Sequence, residues 1–502
     1  MTRRQSLSLC LASLAAGHGN IPAVLAADEP RKSAGTKPDP DGGVFELRGY
    51  YITFMRMPAM GWPEWRTALD ALAEDGINLL VMWLPGGFRS KKHPLTWQYN
   101  EDHPNVRQDF MRDLITYVQG KGIRVLLGFT PFGYDGVNRM ALEHPEWRAQ
   151  KEDGSPVDEF GIHSWGWSLC PARAEVREFM RSYLREMVFD FYPQADGLMV
   201  ESSDYNVCLC PECRAKPYEE EFRLTREISQ EVWKAKPEAL ILVYPHYFTG
   251  RSVPGLAASA PAVRQPFDPR WGLVFTPHSA HFDADLIRQA SHTLYSGPEA
   301  VLGTPAGVAA GARAARDHGV KGYLPSLEAF SYQVTRPEGG EPYFIGRRRL
   351  PLGQDPEKEG RNPWNSLPCR VQRLAVRAFS RQPDLSMGQF SQQVEKAFFA
   401  ETSPASLPQA VADLLELQRI WTFEAEWYWS SPLLDPDFFK SRARRLAWPA
   451  DKLAAYQRNL DTLRQIAVRW QASPGGTERG MFQLADSVVQ RWSHAGEPAQ
   501  VR

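Results

Sequence analysis

The sequence runs to 502 residues, 43% of them hydrophobic and 23% charged, with a formal net charge of -1. That is enough apolar material for one large core and a companion domain, and it excludes disorder as the default state. Near-neutrality, without a Lys/Arg stripe interleaved with aromatics, excludes the electrostatic footprint of a nucleic-acid-binding protein.

In chain order, Met1-Thr2-Arg3-Arg4-Gln5-Ser6-Leu7 opens a basic segment, followed by a short apolar run and the small-residue stretch Ala23-Val24-Leu25-Ala26-Ala27. Residues 1–27 read as a signal peptide whose Thr-Arg-Arg-x-x-Leu pattern resembles a twin-arginine signal, so export to the periplasm or the exterior is expected. The apolar run is well short of the ~20 residues that cross a bilayer, and no membrane span is expected elsewhere. Cys10 would leave with the leader. Residues 28–44, rich in Pro, Gly, Lys and Asp, read as a solvated linker.

From Phe45 short apolar runs alternate with amphipathic segments of helical period, the pattern of βα units around a parallel sheet. Strands are expected at Phe45–Phe54, Leu79–Leu84, Ile123–Phe129, Gly197–Val200, Leu240–Tyr244 and Gly272–Phe275. A weak seventh spans His292–Ser296, and a last one spans Gly322–Pro325. Helices are expected at Pro63–Gly76, Glu175–Phe191, Glu219–Lys236 and from Pro305. If the weak strand is real, residues 45–345 form an α/β fold of the (β/α)8 TIM-barrel type. From about Arg361 to 502 the pattern is helix after helix, a C-terminal helical domain in which Trp421, Trp427 and Trp429 read as core residues.

Catalytic groups of parallel barrels stand at the C-terminal ends of strands. The fourth strand ends in Glu201, and the last is followed by Glu328. Burying a carboxylate beside a strand is costly unless it is solvated, paired or used. Two such acids facing one mouth meet the needs of glycosidic cleavage, one protonating the leaving oxygen and one acting as nucleophile or water activator. Glu201 and Glu328 are therefore the expected pair, with Glu299, after the weak seventh strand, as the alternative second carboxylate. The expected activity is that of a glycoside hydrolase acting on a carbohydrate substrate without an organic cofactor. A non-catalytic carbohydrate-binding barrel is the rival reading. Expected sugar contacts at other strand ends are Trp83, Tyr134, His246 and His278, together with Asp204 and Tyr205 beyond the fourth strand. Such sites combine aromatic platforms with hydroxyl-binding side chains. His163, Trp165 and Trp167 fall in the long loop after the third strand, where a lid would lie.

Cys208-Leu209-Cys210-Pro211-Glu212-Cys213, with Cys170 upstream, forms the second signal. Cys-Pro-x-Cys turns two thiolates toward one point, and two further sulfurs complete the tetrahedral shell of structural zinc. Two disulfides within the same cluster are the alternative in an exported chain. Cys369 stands alone and reads as a buried thiol.

The run Ser168-Leu169-Cys170-Pro171-Ala172-Arg173-Ala174-Glu175-Val176-Arg177-Glu178, the strand ending in Glu201 and the Cys208-x-Cys210-x-x-Cys213 spacing together resemble the middle of family 42 β-galactosidases. That resemblance, over roughly residues 165–215, implies that Cys170, Cys208, Cys210 and Cys213 hold a structural zinc and that Glu201 is the acid/base. The family carries Asn immediately before that Glu, where this chain has Val200, so galactose specificity is not carried over. The tail, with Asn362-Pro363-Trp364 and Arg381-Gln382-Pro383-Asp384-Leu385-Ser386, is similar to the tails of α-glucuronidase-like and hexosaminidase-like barrels.

Overall fold

A computed structural model describes residues 43–53, 61–98, 101, 104–133, 136–157, 168–202, 208–248, 263, 266–276, 282–297, 304–327, 334–335, 343–344, 366–400, 405–424 and 431–501. The strands are β1 (Leu47–Thr53), β2 (Leu79–Trp83), β3 (Arg124–Phe129), β4 (Gly197–Val200), β5 (Leu240–Val243), β6 (Trp271–Phe275), β7 (Thr293–Tyr295), β8 (Gly322–Tyr323) and β9 (Ser326–Leu327). Each pairs in parallel with its neighbour from β2 round to β8. β1 closes the ring by pairing with both β2 and β8. The fold is a (β/α)8 barrel. The weak seventh strand exists, though only three residues long, because Leu294 and Tyr295 face the ladders of both β6 and β8.

The last strand is split. Gly322 and Tyr323 pair with Leu47 and Arg48, whereas Ser326 and Leu327 pair with Tyr51 and Ile52. Between them lies Pro325, which has no N–H to give to a ladder. The strands read as continuous apolar runs because helices cover the outside and side chains fill the interior. Every residue of β2 and β6 is buried.

The helices α1 (Trp62–Glu74), α2 (Met111–Gln119), α3 (Ala174–Arg185), α4 (Pro211–Ala215), α5 (Glu219–Ala235), α6 (Ala284–Gln289) and α7 (Pro305–Asp317) follow in order. In α3, Val176, Phe179, Met180, Tyr183 and Leu184 are buried at three- and four-residue spacing, the stripe of a helix with one covered face. The helix expected over Glu175–Phe191 is α3 continued by a π-helical turn at Glu186–Phe191. Arg177–Glu220 at 3.5 Å and Arg181–Glu227 at 2.8 Å, with the Arg185–Glu231 pair, lace α3 to α5 on either side of β4.

The described chain divides into two compact units, residues 43–297 with 314–344, and residues 304–313 with 366–501; the division falls inside α7. The second unit contains α8 (Leu367–Arg381), α9 (Met387–Phe398), α10 (Leu407–Thr422), α11 (Pro436–Arg445), α12 (Ala450–Trp470) and α13 (Gly476–Ala495). Its core sets Phe439 edge-on to Tyr456, Trp448 and Trp492. Trp421 is buried there, as is Cys369; Trp427 and Trp429 lie outside the described residues. Among the described residues no helix is long and apolar enough to cross a membrane.

Candidate functional site

Three carboxylates of the barrel unit are buried among the described residues: Glu186, Glu201 and Glu221. Glu186 sits in the π-helical turn, where it accepts hydrogen bonds from Ser90 Oγ (2.5 Å) and the Lys91 N–H (2.8 Å) and so pins the segment after β2. Glu221 lies in the first turn of α5, beside the buried Tyr247. Burial, reinforced by Glu221, holds that phenol well above the usual tyrosine range, and its hydroxyl is 2.9 Å from Thr225 Oγ1. Both acids serve helix-to-loop packing.

Glu201 is different. It follows β4 directly, is 1% exposed, and its N–H donates to the Phe129 carbonyl at 3.0 Å, continuing the β3–β4 ladder. Its Oε2 accepts two hydrogen bonds, from the Tyr51 hydroxyl at 2.7 Å and the Thr130 hydroxyl at 3.1 Å. Tyr51 lies near the end of β1 and Thr130 directly follows β3. Three strand ends therefore converge on one carboxylate at the C-terminal mouth, where barrel enzymes place their chemistry.

Trp83 ends β2 and is fully buried. A Cβ on Gly128 would lie 2.8 Å from Trp83 Cδ1 and 3.0 Å from its Cα, so the indole and the glycine are fitted to one another within the barrel wall. His246 falls in the short helix Pro245–Phe248 after β5. Tyr134, Asp204, Tyr205, His278, Glu299 and Glu328 lie outside the described residues, as do His163, Trp165 and Trp167. Leu327, immediately before Glu328, is in register with Ile52 of β1. Tyr51 and Thr130 escaped the sequence reading. The available signal was weak: a tyrosine pair in the middle of the first strand, and a hydroxyl directly after the buried run Val125–Phe129.

The four cysteines do converge. Their sulfurs all lie within 4.8 Å of one another, and Cys170 Sγ is 3.8 Å from Cys210 Sγ and 3.9 Å from Cys213 Sγ. Zinc–sulfur bonds of about 2.3 Å in a tetrahedron require sulfur–sulfur edges of about 3.8 Å, whereas a disulfide brings sulfurs to about 2.05 Å. The donor set therefore fits a tetrahedral ion. Cys210 immediately precedes α4, and the Gln150 N–H donates to Cys208 Sγ at 3.3 Å. Hydrogen bonds from Cys170 and then Cys213 lower the Cys208 thiol, while Cys170 is pushed up by its bond to Cys208 and Cys213 by its bonds to Cys170 and Cys208. The cluster thus has one ready thiolate and protons to release on metal binding.

Solved structures similar in fold are glycoside hydrolases. A GH138 enzyme targeting pectin rhamnogalacturonan II aligns with 89% of this chain at 13% identity and a TM-score of 0.48. The β-N-acetylhexosaminidase from Bacteroides fragilis aligns with 51% of the chain at 12% identity and a TM-score of 0.36. A noncanonic maltogenic α-amylase, AmyB from Thermotoga neapolitana, aligns with 51% at 15% identity and a TM-score of 0.30. The chain spans 57%, 50% and 49% of the lengths of these three, respectively. No family model and no curated protein matches the sequence.

Proposed function

We propose that this chain is an exported glycoside hydrolase whose reacting pair is Glu201 and Glu328, with a structural zinc on Cys170, Cys208, Cys210 and Cys213. The observation that carries the reading is Glu201 itself, a buried carboxylate at the end of β4 held by hydroxyls from β1 and β3. Glu201 donates its proton to the departing glycosidic oxygen, and Glu328 attacks the anomeric carbon or orients water on the opposite face. Glu328 is favoured over Glu299 because it directly follows β9 in sequence, and β9 is laddered to β1, the strand that also supplies Tyr51. The cysteine cluster holds the start of α4, ten residues beyond Glu201.

The test is a hydrolysis screen of the mature protein against 4-nitrophenyl glycosides and plant, algal and host polysaccharides, beside Glu201→Gln and Glu328→Gln. Loss of roughly 10²–10⁴-fold or more in both variants is expected, as for removal of a general acid or a nucleophile. Full hydrolysis by Glu201→Gln overturns the assignment. Saturable sugar binding without turnover, unaffected by either change, makes the chain a carbohydrate-binding barrel.

A further inference from the structure

The two hydroxyls on Glu201 share a single acceptor atom. Tyr51 Oη at 2.7 Å and Thr130 Oγ1 at 3.1 Å both meet Oε2, and all three residues are buried to 1% exposure or less. Both hydroxyls donate to the same oxygen, and each such bond favours negative charge on the carboxyl. These bonds persist when the group is protonated at its other oxygen, since Oε2 is then a carbonyl, but they are stronger to the charged form.

Tyr51 has a second role through its backbone. Its N–H donates to the Pro325 carbonyl at 3.0 Å, and it sits in register with Ser326, two residues before Glu328. One residue therefore grips Glu201 through its side chain and the strand leading to Glu328 through its main chain.

We propose that Tyr51, assisted by Thr130, is a positioning residue that holds the carboxyl of Glu201 through Oε2 and favours its charged form. This rests on the reading of Glu201 as a reacting carboxylate. Neither hydroxyl transfers a proton; each holds the carboxyl in place through Oε2. The ring of Tyr51 suits this task because two torsions carry its hydroxyl across the barrel interior with little rotamer entropy to lose.

The experiment uses the full mature chain labelled with [δ-13C]glutamate, in which the Glu201 resonance is the one lost in Glu201→Gln. Tyr51→Phe keeps the buried ring and removes only the hydroxyl. Its Glu201 titration midpoint should move up by about one pH unit, the size of one charge-assisted hydrogen bond. Thr130→Val should move it in the same direction, and Thr130→Ser should restore it. On whichever 4-nitrophenyl glycoside the native chain cleaves, the limb of the pH–rate profile that belongs to Glu201 should move equally, with kcat falling more than KM rises. An unmoved midpoint in folded Tyr51→Phe overturns the proposal even if hydrolysis is confirmed. A moved midpoint in a chain that cleaves nothing supports the positioning role and removes the glycosidase reading.

Discussion

Two buried polar clusters draw on the segment just beyond β4, Glu201 for one and Cys208–Cys213 for the other, and they are built in opposite ways. The cysteine cluster collects four sulfurs from two short segments, Cys170 and Cys208–Cys213. The four sulfurs lie close enough to share one tetrahedral ion. The Glu201 cluster uses three groups of different chemistry, drawn from positions 51, 130 and 201, and the chain itself supplies the donors. A metal ion would stabilise the first cluster, whereas the second depends on how accurately three strands are held together.

The largest expected effect tests the first half of that contrast. Zinc removal by a strong chelator, or Cys213→Ser, should lower the melting temperature by the equivalent of at least several kcal/mol, given the roughly 10–16 kcal/mol apparent binding energy of structural zinc sites. Elemental analysis should find one zinc per native chain and none in the variant. An unchanged melt, in a native chain that carries no zinc, would break the comparison.

A smaller effect tests the second half. Gly128→Ala forces a methyl against the Trp83 backbone at the top of β3, two residues before Thr130. The expected cost is about 1–3 kcal/mol, measured by denaturant unfolding, with zinc content unchanged. If the strand ends govern the Glu201 cluster, hydrolysis should fall by more than the loss of folded protein explains.

The smallest effect is pH-dependent and lies away from both clusters, so it serves as a control. Asp109, just before α2, adopts a left-handed backbone at φ 51°, and burial, opposed by Arg89 and Arg112, pushes its carboxyl up to about 7. Arg89 Nη1 is 3.8 Å away. A carboxyl raised in the folded state contributes stability that is fully present below its unfolded value near 4 and is lost as pH rises through about 7. Asp109→Asn should therefore stabilise the chain above pH 7, by about 1 kcal/mol once partial exposure is allowed for, and should give no gain at pH 3.5. Thermal melts at both pH values check it, and neither zinc content nor the Glu201 titration should respond.

The sequence by itself determined the alternation of apolar runs and amphipathic helices that closes a barrel, because strand burial and helical period are properties of adjacent residues. It also determined the cysteine cluster, since a Cys-x-Cys-Pro-x-Cys spacing brings three sulfurs together over one turn of chain. Glu201 was legible as a carboxylate following a buried strand. The donors on Glu201 were not: Tyr51 lies 150 residues earlier in sequence and Thr130 71. Nothing in the local pattern of Tyr50-Tyr51-Ile52-Thr53 says which hydroxyl crosses the interior. Likewise the sequence places Trp83 at the end of a strand but does not show its close fit to Gly128. Those choices follow from strand register and barrel closure, which set the face each side chain presents and which distant strand end lies opposite it.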